Sequence, residues 1–442
     1  MPTQPTAVAL PPPTLLDRML APVSKVRAGE GAGAVLLALN ACLLLFTYYI
    51  LKTVREPLIL DQPHGAEIKS FSTALQAGLF LVVVPVYGNI ASRFRRMGLM
   101  AVVTTFFIAN LAIFCLLGAA GVNIGIVFYL WLGIFNMLAV SQFWSFANDL
   151  YTEEEGKRLF PVVGIGASLG AWLGSVAAEH SIRLAGPFTL IAVSGLMLAA
   201  YLGVTWLVSR REDNRVGEAR ASAAKKPLDR KGGFQLVLSD SYLRWIAVLV
   251  FLLNAVNTTG EYILGRFVVE TAARLPEQAR GAYIGEFYGN YFAWVSLAGF
   301  LLQTFVCARL FAKIGLYASL FVLPLVSLTG YGVLLTVPFL GIVRVAKIFE
   351  NSVDYSINNT VRQALFLCTS REAKYKSKAA IDTFFTRAGD LCSFGVVMAG
   401  TTLVNLSVAG FAVVNIGLTG LWLASAARIL REHRKRNERE AD

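Results

Sequence analysis

The chain has 442 residues, of which 56% are hydrophobic and 15% are charged, and its mean hydropathy is +0.59. Soluble domains carry about 25% charged residues, so this composition excludes an ordinary soluble domain. A net charge of +12 is compatible with a nucleic-acid partner, but Lys and Arg cluster in alternating loops between apolar runs. That distribution is typical of a membrane protein and predicts a lipid bilayer as partner and no nucleic acid.

Apolar runs close to the roughly 20 residues needed to cross a bilayer recur along the whole chain. They predict an all-α polytopic membrane protein with about twelve transmembrane helices. The helices are expected near residues 33–56, 66–91, 97–119, 122–150, 154–182, 186–209, 236–270, 281–312, 315–337, 339–368, 374–400 and 404–430.

A polar segment rich in Lys and Arg divides these helices into two groups of six. Tyr49-Ile50-Leu51 recurs as Tyr262-Ile263-Leu264, and weaker echoes recur at similar offsets, which indicates a duplication. This arrangement is that of the major facilitator architecture, which binds substrate at the midplane between its halves. The predicted parts are an N-terminal segment 1–32, a first half 33–209, a basic linker 210–235, a second half 236–430 and a tail 431–442.

Most basic residues of the loops fall on one side of the predicted helices. That side receives the N-terminal segment, the loop after the second helix, the linker and the tail, and the other side receives little beyond Lys69, Arg183, Arg274 and Arg280. The positive-inside rule therefore predicts that both termini and the linker are cytoplasmic. We expect an integral protein of the bacterial inner (cytoplasmic) membrane.

The predicted tenth helix carries an unusual row of polar side chains. At about 100° per residue they fall within an arc of about 80° and extend over about 27 Å of the helix. An ionisable side chain at mid-membrane costs roughly 2.5–3.5 kcal/mol on insertion scales, so such residues face a cavity or a partner. Either a water-filled pathway or a set of interhelical salt bridges would explain the row. Its members are Arg344, Lys347, Asn351, Asp354, Asn358 and Arg362.

Other predicted helices add polar residues that such a cavity would need. Lys52 and Arg55 share one face of the first helix. With Arg344, Lys347, Asn351, Asn358 and Arg362 they form the candidate substrate-binding set. Acidic residues in the seventh, eighth, tenth and eleventh helices are candidates for coupling or counter-ion roles, namely Glu261, Glu286, Asp354 and Asp382. Embedded positive and negative charges are nearly balanced, so charge alone does not establish an anionic substrate.

The sequence contains no clear motif for a metal site, a cofactor or a catalytic centre. The five cysteines are scattered without a CxxC pair and the three histidines are dispersed, so we expect no metal site and no cofactor. The glycine run at residues 164–170 is out of register for a dinucleotide loop and follows no strand. Gly166, Gly170 and Gly174 instead form a row suited to close helix packing. No catalytic motif indicates an enzyme.

Three segments resemble a known family. Residues 49–60 (YILKTVREPLIL) are similar to a first-helix motif of the non-mitochondrial ATP/ADP translocases of plastids and intracellular bacteria. Residues 143–148 (FWSFAN) with 155–160 (EGKRLF), and 362–366 (RQALF) with 376–382 (KSKAAID), resemble two further motifs of that family. The likeness covers both halves of the chain.

This resemblance implies exchange of ATP for ADP by alternating access, with basic residues holding phosphates. Lys52 and Arg55 stand at the two basic positions of the first motif and Glu56 at its acidic one. The chain departs from the family at Asp390, where the family carries a lysine, and in the fourth helix, which lacks the family's glutamate. The leading hypothesis is a secondary transporter of nucleotides or related phosphorylated anions. The alternatives are a major-facilitator transporter of another solute, possibly proton-coupled, and a membrane sensor or scaffold.

Overall fold

The computed structural model describes residues 16, 26–91, 94, 96–151, 153–215, 233–315, 317–366, 369 and 377–441. This part of the chain is helical, without a strand. Its long helices are α1 Gly31–Leu60, α2 Gly65–Ala91, α3 Arg96–Ala119, α4 Gly125–Leu150, α5 with α6 Glu153–Arg215, α7 Ser241–Ala272, α8 Glu277–Ile314, α9 Ala318–Thr336, α10 340–364, α11 378–402 and α12 Val408–Ala441.

Helices α5 and α6 follow one another without a loop. Gly186 separates them, because its φ of 76° and ψ of 167° are not helical. A positive φ is accessible to glycine at little steric cost, and Pro187 directly after it cannot continue the hydrogen-bond ladder of α5. The element therefore contains two spans, 153–185 and 187–215. Helix α6 continues to Arg215, within the stretch assigned to the linker.

The number of spans agrees with the prediction. Within the described residues, nine segments are long and apolar enough to cross a membrane, and one of them, Arg158–Arg211, holds both α5 and α6. Helices α10 and α11 are absent from those nine because each carries several charged side chains. Counting these two, the described residues form twelve spanning helices, which confirms the predicted all-α polytopic fold.

Two apolar cores correspond to the two halves. The first contains residues of α1 and α3–α6, including Phe107, Trp131 and Phe135, whose rings stack or meet edge to face at 5.0–5.7 Å. The second is formed mainly by α7–α12. Four residues of the first half, Ile59, Leu60, Ala66 and Tyr129, belong to the second core. The halves are therefore joined near the α1–α2 turn and the neighbouring part of α4.

The glycine row of α5 packs directly on α1. A Cβ at Gly166, Gly170 or Gly174 would lie 2.2–2.4 Å from the backbone carbonyl oxygens of Ala38, Cys42 and Phe46. Such distances leave no room for a side chain. The packing interpretation of this row is confirmed.

With an even number of spans, the start of α1 and the end of α12 lie on the same side of the bundle. We call this the terminal side and the opposite side the far side. Helices α5 and α8, α1 and α8, and α2 and α11 pack against each other between the halves. Helices α8, α10 and α11 each contain a π-helical segment, at Leu302–Val306, Asp354–Asn358 and Ile381–Phe385. Such segments are frequent at functional sites.

Candidate substrate-binding site

Two cavities lie between the halves, one toward each side of the membrane. The far-side cavity has a volume of about 180 Å³ and is lined by residues of α1, α2, α4, α7, α8 and α10. The terminal-side cavity has a volume of about 850 Å³ and is lined by residues of α1, α4, α5, α8 and α10. Lys52 and Tyr355 line both. These two residues therefore mark the point where the cavities meet.

Lys52 lies on α1 among aromatic rings. Its Nζ is 4.1 Å from the centroid of Phe292 and 5.1 Å from that of Tyr49. A cation–π contact is worth about 0.5–2 kcal/mol, less than a full counter-ion would supply to a desolvated ammonium. Within the described part of the chain, Lys52 forms no salt bridge. Its ammonium is thus available to an anion that enters either cavity.

The next turn of α1 supplies a second cationic group. Glu56 is fully buried and binds two cations, Arg55 through Oε1 and Lys69 through Oε2, the latter at 2.6 Å. The guanidinium of Arg55 also lies 4.6 Å from the centroid of Tyr129. Two cations around one carboxylate leave a net charge of +1. Arg55 and Lys69 both line the far-side cavity.

Sequence reasoning gave Lys69 no role in the site. The residue falls within the predicted second helix, residues 66–91. Its placement at the wall of the cavity follows from the pairing with Glu56 across the α1–α2 turn. The sequence signal that could have indicated a role in the site is the position of this lysine, one turn inside a predicted spanning helix.

A third cluster joins α7 to α10. The Nζ of Lys347 lies 3.5 Å from Glu261, 3.4 Å from Glu350 and 2.7 Å from Oδ1 of Asn257. Lys347 is only 2% exposed. Asn351 donates to Glu261 at 3.0 Å, and both of these residues line the far-side cavity. Lys347 therefore supports the wall instead of facing the cavity.

The remaining predicted residues have partners away from the meeting point of the cavities. Arg344 donates to Asn290 of α8, and Asn358 donates to Asp354 at 2.7 Å. Arg362 binds Asp382 at 2.8 Å. These members of the α10 row contact other side chains within α10 or on neighbouring helices. Their contacts favour the interpretation as interhelical and local pairs over the interpretation as a continuous water-filled pathway.

The structure therefore brings Lys52, Arg55, Glu261 and Asn351 together around one cavity. It does not bring Arg344, Lys347, Asn358 or Arg362 into the lining of either central cavity, as far as the described residues extend. Their direct contact with substrate stays a prediction.

The far side of the bundle is sealed between α5 and α8. A Cβ on Gly289 would lie 2.7 Å from the Cα of Glu179, and one on Gly285 would lie 2.3 Å from the side chain of Ile182. Arg183 binds Glu286 at 2.6 Å, and Asn290 donates to Glu179 at 2.7 Å. The predicted coupling residue Glu286 therefore takes part in this seal. The larger cavity lies toward the terminal side.

Asp390, the position of reversed charge, lies on α11 near the interface with α2. It accepts from Arg387 at 2.9 Å and from Thr258 at 2.8 Å, and it is 5% exposed. Arg387 also lies 4.7 Å from the centroid of Phe80. The carboxylate is therefore neutralised within the protein.

No family model matches the chain. Curated relatives include ADP,ATP carrier protein 1 of Chlamydia pneumoniae, 25% identical over 65% of this chain and 63% of that protein. ADP,ATP carrier protein 4 of Rickettsia bellii is 24% identical over 58% of this chain and 55% of that protein. The chloroplastic ADP,ATP carrier protein 2 of Arabidopsis thaliana is 24% identical over 68% of this chain and 53% of that protein. The chain is a divergent homologue of these carriers. The matched region spans a little over half of each relative, and the predicted resemblance is confirmed.

Solved structures show the same fold as this carrier homologue. A bacterial homologue of the iron transporter ferroportin has a TM-score of 0.65 at 15% identity and covers 90% of this chain and 98% of that chain. The nucleoside transporter NupG has a TM-score of 0.58 at 11% identity, and the match covers 89% of this chain and 98% of that chain. The fold is therefore the major-facilitator type, as predicted. The curated relatives are carrier proteins.

Proposed function

We propose that this protein is a secondary transporter of nucleotides, of the ATP/ADP exchange type, or of related phosphorylated anions, working by alternating access. One observation carries the proposal. Lys52, Arg55 and Lys69 converge on the wall of the cavity between the halves, and Lys52 has no salt-bridge partner among the described residues. The homology to ADP,ATP carrier proteins supports the same substrate class.

The chemistry of these side chains suits phosphate groups. Arg can bind a phosphate through two parallel hydrogen bonds, while Lys acts as a compact point charge. A charge-assisted hydrogen bond contributes roughly 1.5–3 kcal/mol. The ammonium of Lys52 and the surplus positive charge of the Arg55–Glu56–Lys69 cluster would attract a bound polyphosphate, while Glu261 in the same wall is paired with Lys347. Arg344, Lys347, Asn358 and Arg362 would hold α10 in place and contribute indirectly.

Alternating access would use the two cavities in turn. The contacts Arg183–Glu286 and Asn290–Glu179 close the far side. Substrate would enter the terminal-side cavity, reach the cations near the middle of the membrane and leave after the α5–α8 seal opens. The reverse movement would carry the exchanged substrate.

We further propose the orientation in the membrane. Both termini and the 210–235 linker would be cytoplasmic in the bacterial inner membrane, because most basic residues of the loops fall on the terminal side. The terminal-side cavity would then face the cytoplasm. The functional units would be the halves 33–209 and 236–430, with 1–32 and 431–442 as cytoplasmic ends.

A second candidate function is a proton-coupled transporter of another solute. It is favoured by the cluster in which one ammonium, Lys347, lies between two carboxylates, Glu261 and Glu350. A surplus buried carboxylate is costly and could take up a proton. Glu261, Glu286, Asp354 and Asp382 would then be the coupling or counter-ion candidates.

Uptake by proteoliposomes tests the proposal. Vesicles containing the protein should take up radiolabelled ATP when loaded with ADP and should lose that uptake when loaded with buffer alone. An imposed proton gradient should have little effect. Uptake driven by the gradient without internal nucleotide would favour the second candidate, and absence of any nucleotide uptake or binding would remove the nucleotide assignment.

A further inference from the structure

The two central cavities differ in charge. Among the described residues that line the terminal-side cavity, Lys52 is the only one with a charged side chain. The far-side cavity adds Arg55, Lys69 and Glu261 to Lys52. An anionic group and an uncharged group of one substrate would therefore find different surroundings on the two sides of Lys52.

The two cavities also differ in volume. About 180 Å³ is below the roughly 300–1,000 Å³ of typical ligand pockets, whereas about 850 Å³ falls within that range. The far-side cavity has room for a compact anionic group. The terminal-side cavity has room for a large organic group.

Asn136 is an unpaired polar side chain in the terminal-side cavity. It lies in the middle of α4, is half-buried and forms no hydrogen bond with the described residues. A polar amide at this depth is costly unless it is hydrogen-bonded. The side-by-side donor and acceptor of an Asn amide match the N6 and N7 edge of adenine.

Aromatic rings line the same cavity. Tyr48, Phe300 and Tyr355 all contribute to its wall, and Tyr355 is 46% exposed. A nucleobase stacks on such rings irrespective of its hydrogen-bonding edge. Opposite α4, the side chain of Gln303 on α8 accepts from Thr360 at 3.3 Å, and no described residue accepts from its amide nitrogen.

We infer that the terminal-side cavity is the nucleobase subsite of the transport site, where Asn136 reads the base edge and Phe300 stacks on the ring. The phosphates lie beyond Lys52, against Arg55 and Lys69. The substrate is thus bound with its base toward the terminal side. This inference rests on the proposed nucleotide transport.

Competition on the purified full-length protein tests it. Radiolabelled ATP is displaced by unlabelled ATP and by inorganic tripolyphosphate, which has the phosphates but no base. The wild type should bind ATP at least tenfold more tightly than tripolyphosphate. Asn136→Ala should weaken ATP by about tenfold and leave the affinity for tripolyphosphate unchanged, because only the base contact is lost.

Phe300→Leu is a second variant that keeps an apolar side chain and removes the stacking surface. It should also weaken ATP by about tenfold with no effect on tripolyphosphate. The matched control is Asn110→Ala, since Asn110 lies on α3 and donates to the carbonyl of Phe106.

Three results would overturn the inference. If Asn136→Ala and Phe300→Leu weaken ATP and tripolyphosphate equally, the cavity is no base subsite, while nucleotide transport stands. The same holds if neither variant changes the affinity for ATP or for tripolyphosphate. If the wild type binds neither ATP nor tripolyphosphate, the proposed function fails together with the inference.

Discussion

Lys52 and Arg55 show that neighbouring basic residues on one helix face can have different roles. Arg55 is bound to a fully buried carboxylate, so it contributes to the folded structure as well as to the charge of the cavity. Lys52 lies between aromatic rings and forms no salt bridge within the described part of the chain. Its charge is therefore the more available of the two to a substrate.

Lys52→Ala should weaken ATP binding by about 10- to 150-fold, which corresponds to the roughly 1.5–3 kcal/mol of one charge-assisted contact. The melting temperature should change little because no ion pair is broken. Arg55→Ala should lower both the affinity and the melting temperature, because Glu56 then keeps only Lys69. Radioligand binding and thermal unfolding of the purified protein measure the two effects.

Lys435→Ala is the matched control for the lysine substitution, since Lys435 pairs with Glu432 near the exposed end of α12. It should alter neither quantity. A Lys52→Ala protein that melts as early as Arg55→Ala but binds ATP normally would show that Lys52 is structural.

Helices α5 and α8 are in close contact toward the far side of the bundle. Gly285 and Gly289 let α8 approach α5 until backbone and side chain touch. Two polar contacts, Arg183–Glu286 and Asn290–Glu179, lie along the same contact. Small residues permit such approach between membrane helices, where packing and hydrogen bonds replace the hydrophobic effect.

Gly289→Ala should favour opening of the far side. Its Cβ would lie 2.7 Å from the Cα of Glu179, and such overpacking costs about 1–3 kcal/mol in the closed conformation. In a protein without native cysteines, Thr73→Cys in the far-side cavity should then react about 5- to 150-fold faster with an impermeant thiol reagent added on the far side. The rate of labelling is measured in oriented vesicles.

Gly332→Ala on α9 is the control, because a Cβ there meets no atom within 4 Å. It introduces the same gain in helix propensity without the clash. Equal labelling rates in both variants would contradict the assigned role of the α5–α8 contact.

The polar row of α10 gives a separate test of which of its residues meets substrate. Asn351→Cys should react with a water-soluble thiol reagent, and ATP should slow the reaction, because Asn351 lines the far-side cavity. Asn358→Cys should react slowly, since Asn358 lines neither central cavity and donates to Asp354 on the same helix. Val345→Cys and Phe349→Cys should be inert in the bilayer, because both side chains lie on the outer surface of the bundle. Equal reactivity at all four positions would exclude this assignment.

For the whole molecule, the two apolar cores and the contacts between α1, α2, α5, α8 and α11 define two halves with two cavities between them. The orientation of this assembly determines from which compartment the terminal-side cavity is filled. The distribution of basic residues is the basis for the proposed orientation.

Single cysteines at Ser222 in the linker and at Ala273 in the α7–α8 connection should label from opposite sides. In intact cells, an impermeant reagent should reach Ala273→Cys and should reach Ser222→Cys only after permeabilisation. Mass-tag labelling followed by gel shift measures this. Labelling of both positions in intact cells would refute the proposed topology.

The amino-acid sequence was enough to predict the twelve spans, the two halves, the glycine row of α5 and the positions of Lys52 and Arg55 on α1. Each of these depends on local properties, namely the apolar length, the helical spacing and motifs of neighbouring residues. Which polar residues share a cavity became clear only from the packing of the helices. Lys347 reaches Glu261 and Asn257 on α7, Arg183 reaches Glu286 on α8, and Asn136 is left without a described partner. These outcomes depend on how the helices rotate and approach one another across the interface between the halves, which helical spacing along one segment does not specify.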